Sequence, residues 1–181
     1  MASSAAGKIT TIDDPNGDSA SCWGINLKGH IVGSYMKSGA LQAFFCKAGT
    51  FTDIGPAGVR LSEAYAVNDK DHVVGYYMDS NFKTHGFMWN GKTYKTLDAP
   101  GSSYTQADGI NDHDLVTIAW TDAKGNTEGA IYNGKKYTTI NVPGSVVYSN
   151  PWAINTAGDV VFAWWDAKFV ARRAASSGQL L

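Results

Sequence analysis

The sequence predicts an all-β protein, a four-bladed β-propeller made of four four-stranded antiparallel blades. Three observations carry that prediction. A short motif occurs four times: an aromatic residue or Asp, then Gly or Ala, then Ile or Val, then Asn, with the Asn at positions 26, 68, 111 and 155. Each copy is followed by the same succession of β-rich runs and turns, and about 43 residues is the length of one four-stranded blade. The two ends of the chain hold complementary parts of one blade. The repeats start near residues 21, 63, 106 and 150. They fill a single domain, 8–181, behind a small polar N-terminus, 1–7, that reads as disordered or tag-like.

In chain order, Ile9-Thr10-Thr11-Ile12-Asp13-Asp14-Pro15 comes first. It reads like Tyr137-Thr138-Thr139-Ile140-Asn141-Val142-Pro143, a fourth strand with no first three before it. The first full copy runs from Trp23-Gly24-Ile25-Asn26 through a polar turn to strands at 31–35, 43–45 and 51–54. The second runs from Tyr65-Ala66-Val67-Asn68 to 73–77, 86–89 and 94–97. The third runs from Asp108-Gly109-Ile110-Asn111 to 115–120, 129–132 and 137–140. In each, the Asn side chain suits capping its own turn, where Gly, Asn or Asp tolerate positive φ. Asn90-Gly91 and Asn133-Gly134 are strong hairpin signals. Gly55-Pro56, Pro100-Gly101 and Pro143-Gly144 return the chain to the next copy.

The fourth copy, from Trp152-Ala153-Ile154-Asn155, has strands at 160–165 and 168–173 and lacks its last one. The N-terminal strand is therefore expected to pair with 168–173 and shut the ring, which removes free sheet edges. Residues 174–181 then form a loop or a tail. The alternative is two chains exchanging terminal strands, so the protein is a monomer or a strand-exchanged dimer.

Composition narrows the function. The chain has 181 residues, 17% charged and 12% aromatic, with 20 Gly and a net charge of −1. No basic stripe points to nucleic acid or to a polybasic membrane patch. No apolar run approaches the ~18 residues of a membrane span. The N-terminus lacks the basic and apolar regions of a signal peptide. The chain reads as soluble: secreted if a leader was trimmed, otherwise cytoplasmic. Cys22 and Cys46 read as buried free thiols, with a single bridge as the alternative. No Cys/His spacing suggests a zinc site, and no cofactor is expected. There is no Gly-x-Ser-x-Gly elbow, and no Gly run forms a phosphate loop feeding a helix.

Gln42-Ala43-Phe44 and His85-Gly86-Phe87, with Glu128-Gly129-Ala130 as a weaker third, occupy one position of the repeat. Together with the Gly-Ile-Asn start and the Thr-Ile-Asp-x-Pro ending, they resemble the bacterial HAF ("extracellular repeat") family of propeller-like repeats. The resemblance spans about residues 9–173. It implies the fold and, by the family name, secretion; it implies no catalytic motif.

Comparing the copies separates architecture from grafted function. Asn26, Asn68, Asn111 and Asn155 recur in every copy, as do Ile25, Val67, Ile110 and Ile154, and both sets are architecture. Two residues before the Ile/Val set stand Trp23, Tyr65, Asp108 and Trp152. The aromatics are either core between blades or the walls of a site. Two residues earlier again, on the same strand face, stand Ser21, Glu63, Gln106 and Asn150, polar in every copy. This ring lies at one mouth of the central channel, fed by loops that carry Asp14, Asn16, Asp18, Arg60, Tyr104 and Tyr148.

The first functional reading is a binding module for a small molecule or sugar. Its walls are Trp23, Tyr65 and Trp152, its polar ring is Ser21, Glu63, Gln106 and Asn150, and Arg60 stands near. The second is a cofactor-independent enzyme with Glu63 and Asp108 approaching across the mouth as acid and base, and Tyr104 and Tyr148 in support. There Glu63 and Asp108 have the alternative role of structural anchors. The third is a protein-interaction scaffold. His30, His72 and His113 are read as exposed turn residues, and His85 as a loop cap.

Overall fold

In the computed structural model, residues 11–13, 19–140, 145–166, 168 and 170–176 are described. Among them there are fifteen strands and no helix. No helix is therefore long and apolar enough to cross a membrane.

The strands form four consecutive antiparallel units. The first contains β1 (Ala20–Ile25), β2 (Ile31–Lys37), β3 (Ala40–Lys47) and β4 (Thr50–Asp53). The second contains β5 (Leu61–Val67), β6 (Val73–Met78), β7 (Thr84–Trp89) and β8 (Tyr94–Thr96). The third contains β9 (Tyr104–Ile110), β10 (Val116–Thr121), β11 (Thr127–Tyr132) and β12 (Tyr137–Thr139). The last holds β13 (Ser145–Ile154), β14 (Val160–Asp166) and β15 (Ala171–Ser176). Each strand pairs with the next in sequence within its unit, and lone parallel bridges at Thr84–Tyr104 and Thr127–Tyr148 link the later units.

The turns explain the local folding. Asn26 Oδ1 accepts from the backbone N–H of Lys28 and His30, and Asn68 and Asn111 do the same for their own turns. The residue three after each Asn has positive φ: Gly29, Asp71, Asp114 and Gly158. These Asn side chains also tie units together. Asn26 Nδ2 donates to Asn68 O, Asn68 to Asn111 O, and Asn111 to Asn155 O, at 2.9, 3.0 and 2.9 Å.

The core lies mainly in the seams between units. Val32 and Phe45 of the first unit pack with Ala64, Val67 and Phe87 of the second. Val74 and Leu97 pack with Ala107, Ile110 and Ile118 of the third. Ile131 and Ile140 pack with Ile154, Val160 and Phe162 of the last. A smaller cluster, Tyr35, Phe44 and Cys46, lies within the first unit.

Several expectations change. The third strand of the last unit is Ala171–Ser176, not 168–173. Asp166 Oδ1 accepts from Lys168 N and Val170 N, so those residues close a turn and the strand starts after it. Asp79 and Asp122 build the same turn in the second and third units. Both cysteines are free, but Cys22 is exposed and only Cys46 is buried.

His30 is buried rather than exposed, against Phe45, with Nδ1 2.7 Å from Asp71 Oδ1 of the next unit. His72 makes the same cross-unit pair with Asp114 at 2.8 Å. Most of the predicted closing strand (Ile9, Thr10, Asp14 and Pro15) lies outside the described residues, as do Asn16 and Asp18. Thr11, Ile12 and Asp13 are not in a strand and share a cavity with Ile31, Cys46 and Phe51 of the first unit. Among the described residues β15 is paired on one side only, and the sheets do not close.

Candidate functional site

The innermost strands β1, β5, β9 and β13 share an irregularity at the same repeat position, and β13 carries a second one between Ser145 and Ser149. Along β1, Cys22 pairs with Gly33 and Gly24 with Val32, so Trp23 is out of register. The same β-bulge leaves out Tyr65, Asp108 and Trp152. An extra residue in one strand re-aims its side chain and bends the strand. All four bulged residues line one cavity of about 590 Å³. The residue after each is small, because a neighbouring inner strand passes close. A Cβ on Gly24 would lie 2.8 Å from Tyr65 O, and one on Gly109 would lie 2.9 Å from Ala153 Cα.

The axis has three levels. Ile25, Val67, Ile110 and Ile154 line both this cavity and a second one of about 440 Å³, whose rim is the four Asn turns. The Ile/Val set is therefore a waist between an aromatic mouth and a polar one. Trp23 and Trp152 are 56% and 54% exposed, so they are walls of the mouth and not core between units. Trp23 meets Tyr65 edge to face, centroids 5.9 Å apart at 89°.

Among the described residues Asp108 is the one charged side chain lining the mouth. It is 7% exposed. Gln106 Nε2 donates to Oδ1 at 2.6 Å, while Oδ2 has no partner. Burial pushes its carboxyl up to about 7, and the Gln106 hydrogen bond only partly opposes this. Gln106 Oε1 in turn accepts from the Tyr104 hydroxyl. Tyr104, Gln106 and Asp108 thus form one hydrogen-bonded line along β9. Burial, then the charges of Asp108 and Glu63, push the Tyr104 hydroxyl up to about 12.

The remaining predicted residues are placed differently. Glu63 is held by Tyr76, whose hydroxyl donates at 2.7 Å, and by Ser34 at 3.5 Å, and it does not line the mouth. Burial first, and then the Glu63 contact, raise the Tyr76 hydroxyl above its usual value. Glu63 and Asp108 share no hydrogen-bond partner, and burial rather than Glu63 shifts Asp108, although both charges act on Tyr65 and Tyr104. Among the described residues no hydrogen bond, direct or through a common group, couples the expected acid–base pair. The Arg60 guanidinium sits 4.0 Å over the Phe82 ring. Tyr148 stacks with Trp165, and Asn150 Nδ2 donates to its hydroxyl at 3.2 Å while Asn150 Oδ1 is buried without a partner. Ser21 is exposed on β1, paired in register with Ser34.

Two elements were missed by sequence reasoning, the bulges and the cross-unit His–Asp pairs. The bulges had a signal in the small residue after each aromatic or Asp. Among the described residues no three His, Cys, Asp or Glu side chains gather as a metal site.

No family model matches the chain, and no curated protein matches it in sequence. Solved structures do. An N224Q mutant of Aleuria aurantia lectin, in complex with alpha-methyl-L-fucoside, is 13% identical with a TM-score of 0.51, over 83% of this chain and 54% of the lectin. Another structure, a fungal lectin described as a six-bladed β-propeller with a novel fucose recognition mode for that lectin, has a TM-score of 0.45 at 11% identity, over 81% of this chain and 51% of the lectin. A fucose lectin from Kordia zhangzhouensis has a TM-score of 0.41 at 13% identity, over 68% of this chain and 99% of the lectin. The chain spans about half the length of the Aleuria lectin it matches.

Proposed function

We propose that the four units are the blades of a four-bladed β-propeller that binds a small molecule, a carbohydrate in first place, at the aromatic mouth of its central channel. One observation carries this reading: the bulge of every inner strand delivers its residue to the same cavity, giving three aromatic walls and one carboxylate. A concave site of about 300–1,000 Å³ with aromatic walls and few polar groups is the usual form of a small-molecule pocket. The fold likeness to lectins solved with fucosides makes sugars the first class to test. In this reading the segment at 9–15 completes the last blade by pairing with β15, within one chain or exchanged between two.

The test is a thermal-shift screen of saccharides and small metabolites against the full chain, Trp23→Ala and Trp152→Ala. A ligand at 100 times its dissociation constant adds about 2.7 kcal/mol to the wild type. That protection is expected to vanish in both variants, whose half-exposed side chains contribute little to folding. A ligand that protects all three proteins equally binds elsewhere and defeats the proposal.

A further inference from the structure

We infer that the aromatic mouth takes a ligand carrying a positively charged nitrogen, held between the rings of Trp23, Tyr65 and Trp152 and the carboxylate of Asp108. The inference rests on the small-molecule reading above and names the chemistry of that ligand.

Three features of the mouth favour a cation over a neutral polyol. First, the walls are aromatic. A cation over an aromatic face gains from the ring quadrupole, most of all at Trp and away from water. Trp23 meets Tyr65 edge to face, and Trp152 lines the same cavity. Second, the one charge on the lining is negative, and it is buried. Asp108 Oδ2 is out of reach of water and has no donor. Its charge lies at the protein boundary of the mouth, where it is felt more strongly than between two groups in bulk water.

Third, the lining has few free hydrogen-bonding side chains with which to read hydroxyls. Gln106 has both ends of its amide engaged, accepting from Tyr104 and donating to Asp108. A sugar hydroxyl needs donors and acceptors in matched positions. An alkylated ammonium needs neither, only ring faces and a negative potential.

The groups that face Asp108 are known from each neighbouring strand. Gln106 and Tyr104 lie on its own strand, Tyr65 of β5 feels its charge, and Trp23 of β1 and Trp152 of β13 line the same cavity, while Glu63 acts on Tyr65 and Tyr104. Among the described residues of the lining none is cationic, so none of them compensates Asp108 when it is ionised. Burial holds its proton on to about pH 7, and an occupying cation favours the ionised form. Binding of a permanent cation is therefore expected to strengthen as pH rises through neutrality.

The shared chemistry has two sources, an amino sugar or a non-sugar ammonium compound, and calorimetric titration of the full chain at pH 8 separates them. Glucosamine is compared with N-acetylglucosamine, and choline with its neutral isostere 3,3-dimethylbutan-1-ol. The cationic member of at least one pair is expected to bind about tenfold more tightly than its neutral partner. Asp108→Asn is expected to abolish that difference, and Trp152→Ala to weaken the cation. Choline, whose charge is the same at every pH, is also titrated on the wild type from pH 5.5 to 8.5, which keeps the test intact if Asp108→Asn does not fold. A tightening of severalfold across that range supports the proposal, and a flat profile overturns it. Neutral members that bind as tightly as the cations overturn the charge inference and leave the small-molecule reading standing. No binding by any of the four, together with a blank thermal-shift screen, overturns both.

Discussion

The three internal seams and the two end faces of the chain are made from the same repeat positions, yet they differ in burial. Val32, Val74 and Thr117 are equivalent residues that each face the following unit, and all are fully buried. Their counterpart in the last unit, Val161, is 47% exposed. On the receiving side Val67, Ile110 and Ile154 are buried, whereas Ile25 is 68% exposed. The polar links follow the same division. Asn26, Asn68 and Asn111 each donate to the next unit, while Asn155 Nδ2 turns back to Asp159 in its own turn at 2.9 Å. Burial here is a property of the seam and not of the residue type: a valine is core only when a following unit covers it.

The largest test of this contrast places a charge at equivalent positions. Val74→Asp puts an unpaired carboxylate into the second seam and is expected to cost about 3–5 kcal/mol, enough to unfold a marginal domain. Val161→Asp is expected to cost about 0.5 kcal/mol or less where that face stays open, and as much as Val74→Asp where closure of the proposed ring covers it. Urea melts of the two variants decide it. A small loss at Val161 alone would count against closure, and similar large losses would show that a fourth seam covers the Val161 face. A gentler version removes methyl groups. Ile110→Ala opens a cavity beside Val74 and Ile118 and is expected to cost about 3 kcal/mol, against less than about 1 for Ile25→Ala.

The division also shows what was legible in the sequence. Counting Asn-to-Asn spacings locates every unit and its innermost strand, because turn chemistry is local and recurs. Matching positions between repeats also groups Trp23, Tyr65, Asp108 and Trp152, and these equivalent residues of the four inner strands line one cavity. What escapes is non-local. His30 is buried because Asp71, 41 residues on, reaches back to it. Glu63 has the position of a site residue, but Tyr76 on the adjacent strand takes its carboxylate. The strand at 171–176 is displaced from its expected place because Asp166 recruits two following N–H groups into its turn, a pattern visible only beside Asp79 and Asp122. The exposure of Ile25 and Val161 depends on which faces the chain leaves uncovered, which composition does not record.

The Asn links sharpen the contrast on a smaller scale. Asn68→Ala removes two acceptor bonds in its own turn and two donor bonds into the third unit, to Asn111 O and Asp114 Oδ1. At about 1 kcal/mol net for each well-made bond, less relaxation, the expected loss is about 2–3 kcal/mol. Asn155→Ala loses no inter-unit bond and is expected to cost about 1 kcal/mol. Guanidinium melts measure both, and equal losses would show that the links across the seam contribute nothing to stability.

The smallest effect is a difference in acid response among the seams. In the first two, a carboxylate at positive φ meets a histidine of the preceding unit: Asp71 with His30, and Asp114 with His72. Burial alone would raise the Asp71 carboxyl, but hydrogen bonds from His30, Asn26 and Lys28 outweigh it and hold it below the usual carboxylate range. Asp114 is lowered in the same way, with Lys70, His72 and Asn68 opposing burial. A carboxyl depressed in the folded state stabilises it above the unfolded pKa, about 3.9, and loses that contribution as pH falls through the folded value. The third seam has no such pair: Leu115 occupies the histidine position and packs on the Ile131–Ile154–Val160 cluster. Acid is therefore expected to loosen the first two seams before the third. Hydrogen exchange of the inner strands between pH 6 and 3 reads this directly. The protection of β5 and β9 should fall ahead of that of β13 once intrinsic exchange is corrected for pH. Asp71→Asn should weaken the first seam at neutral pH, and its difference from wild type should shrink as pH falls below about 3.9. Uniform loss of protection across all three seams would assign acid sensitivity to the fold as a whole and remove these two pairs as its cause.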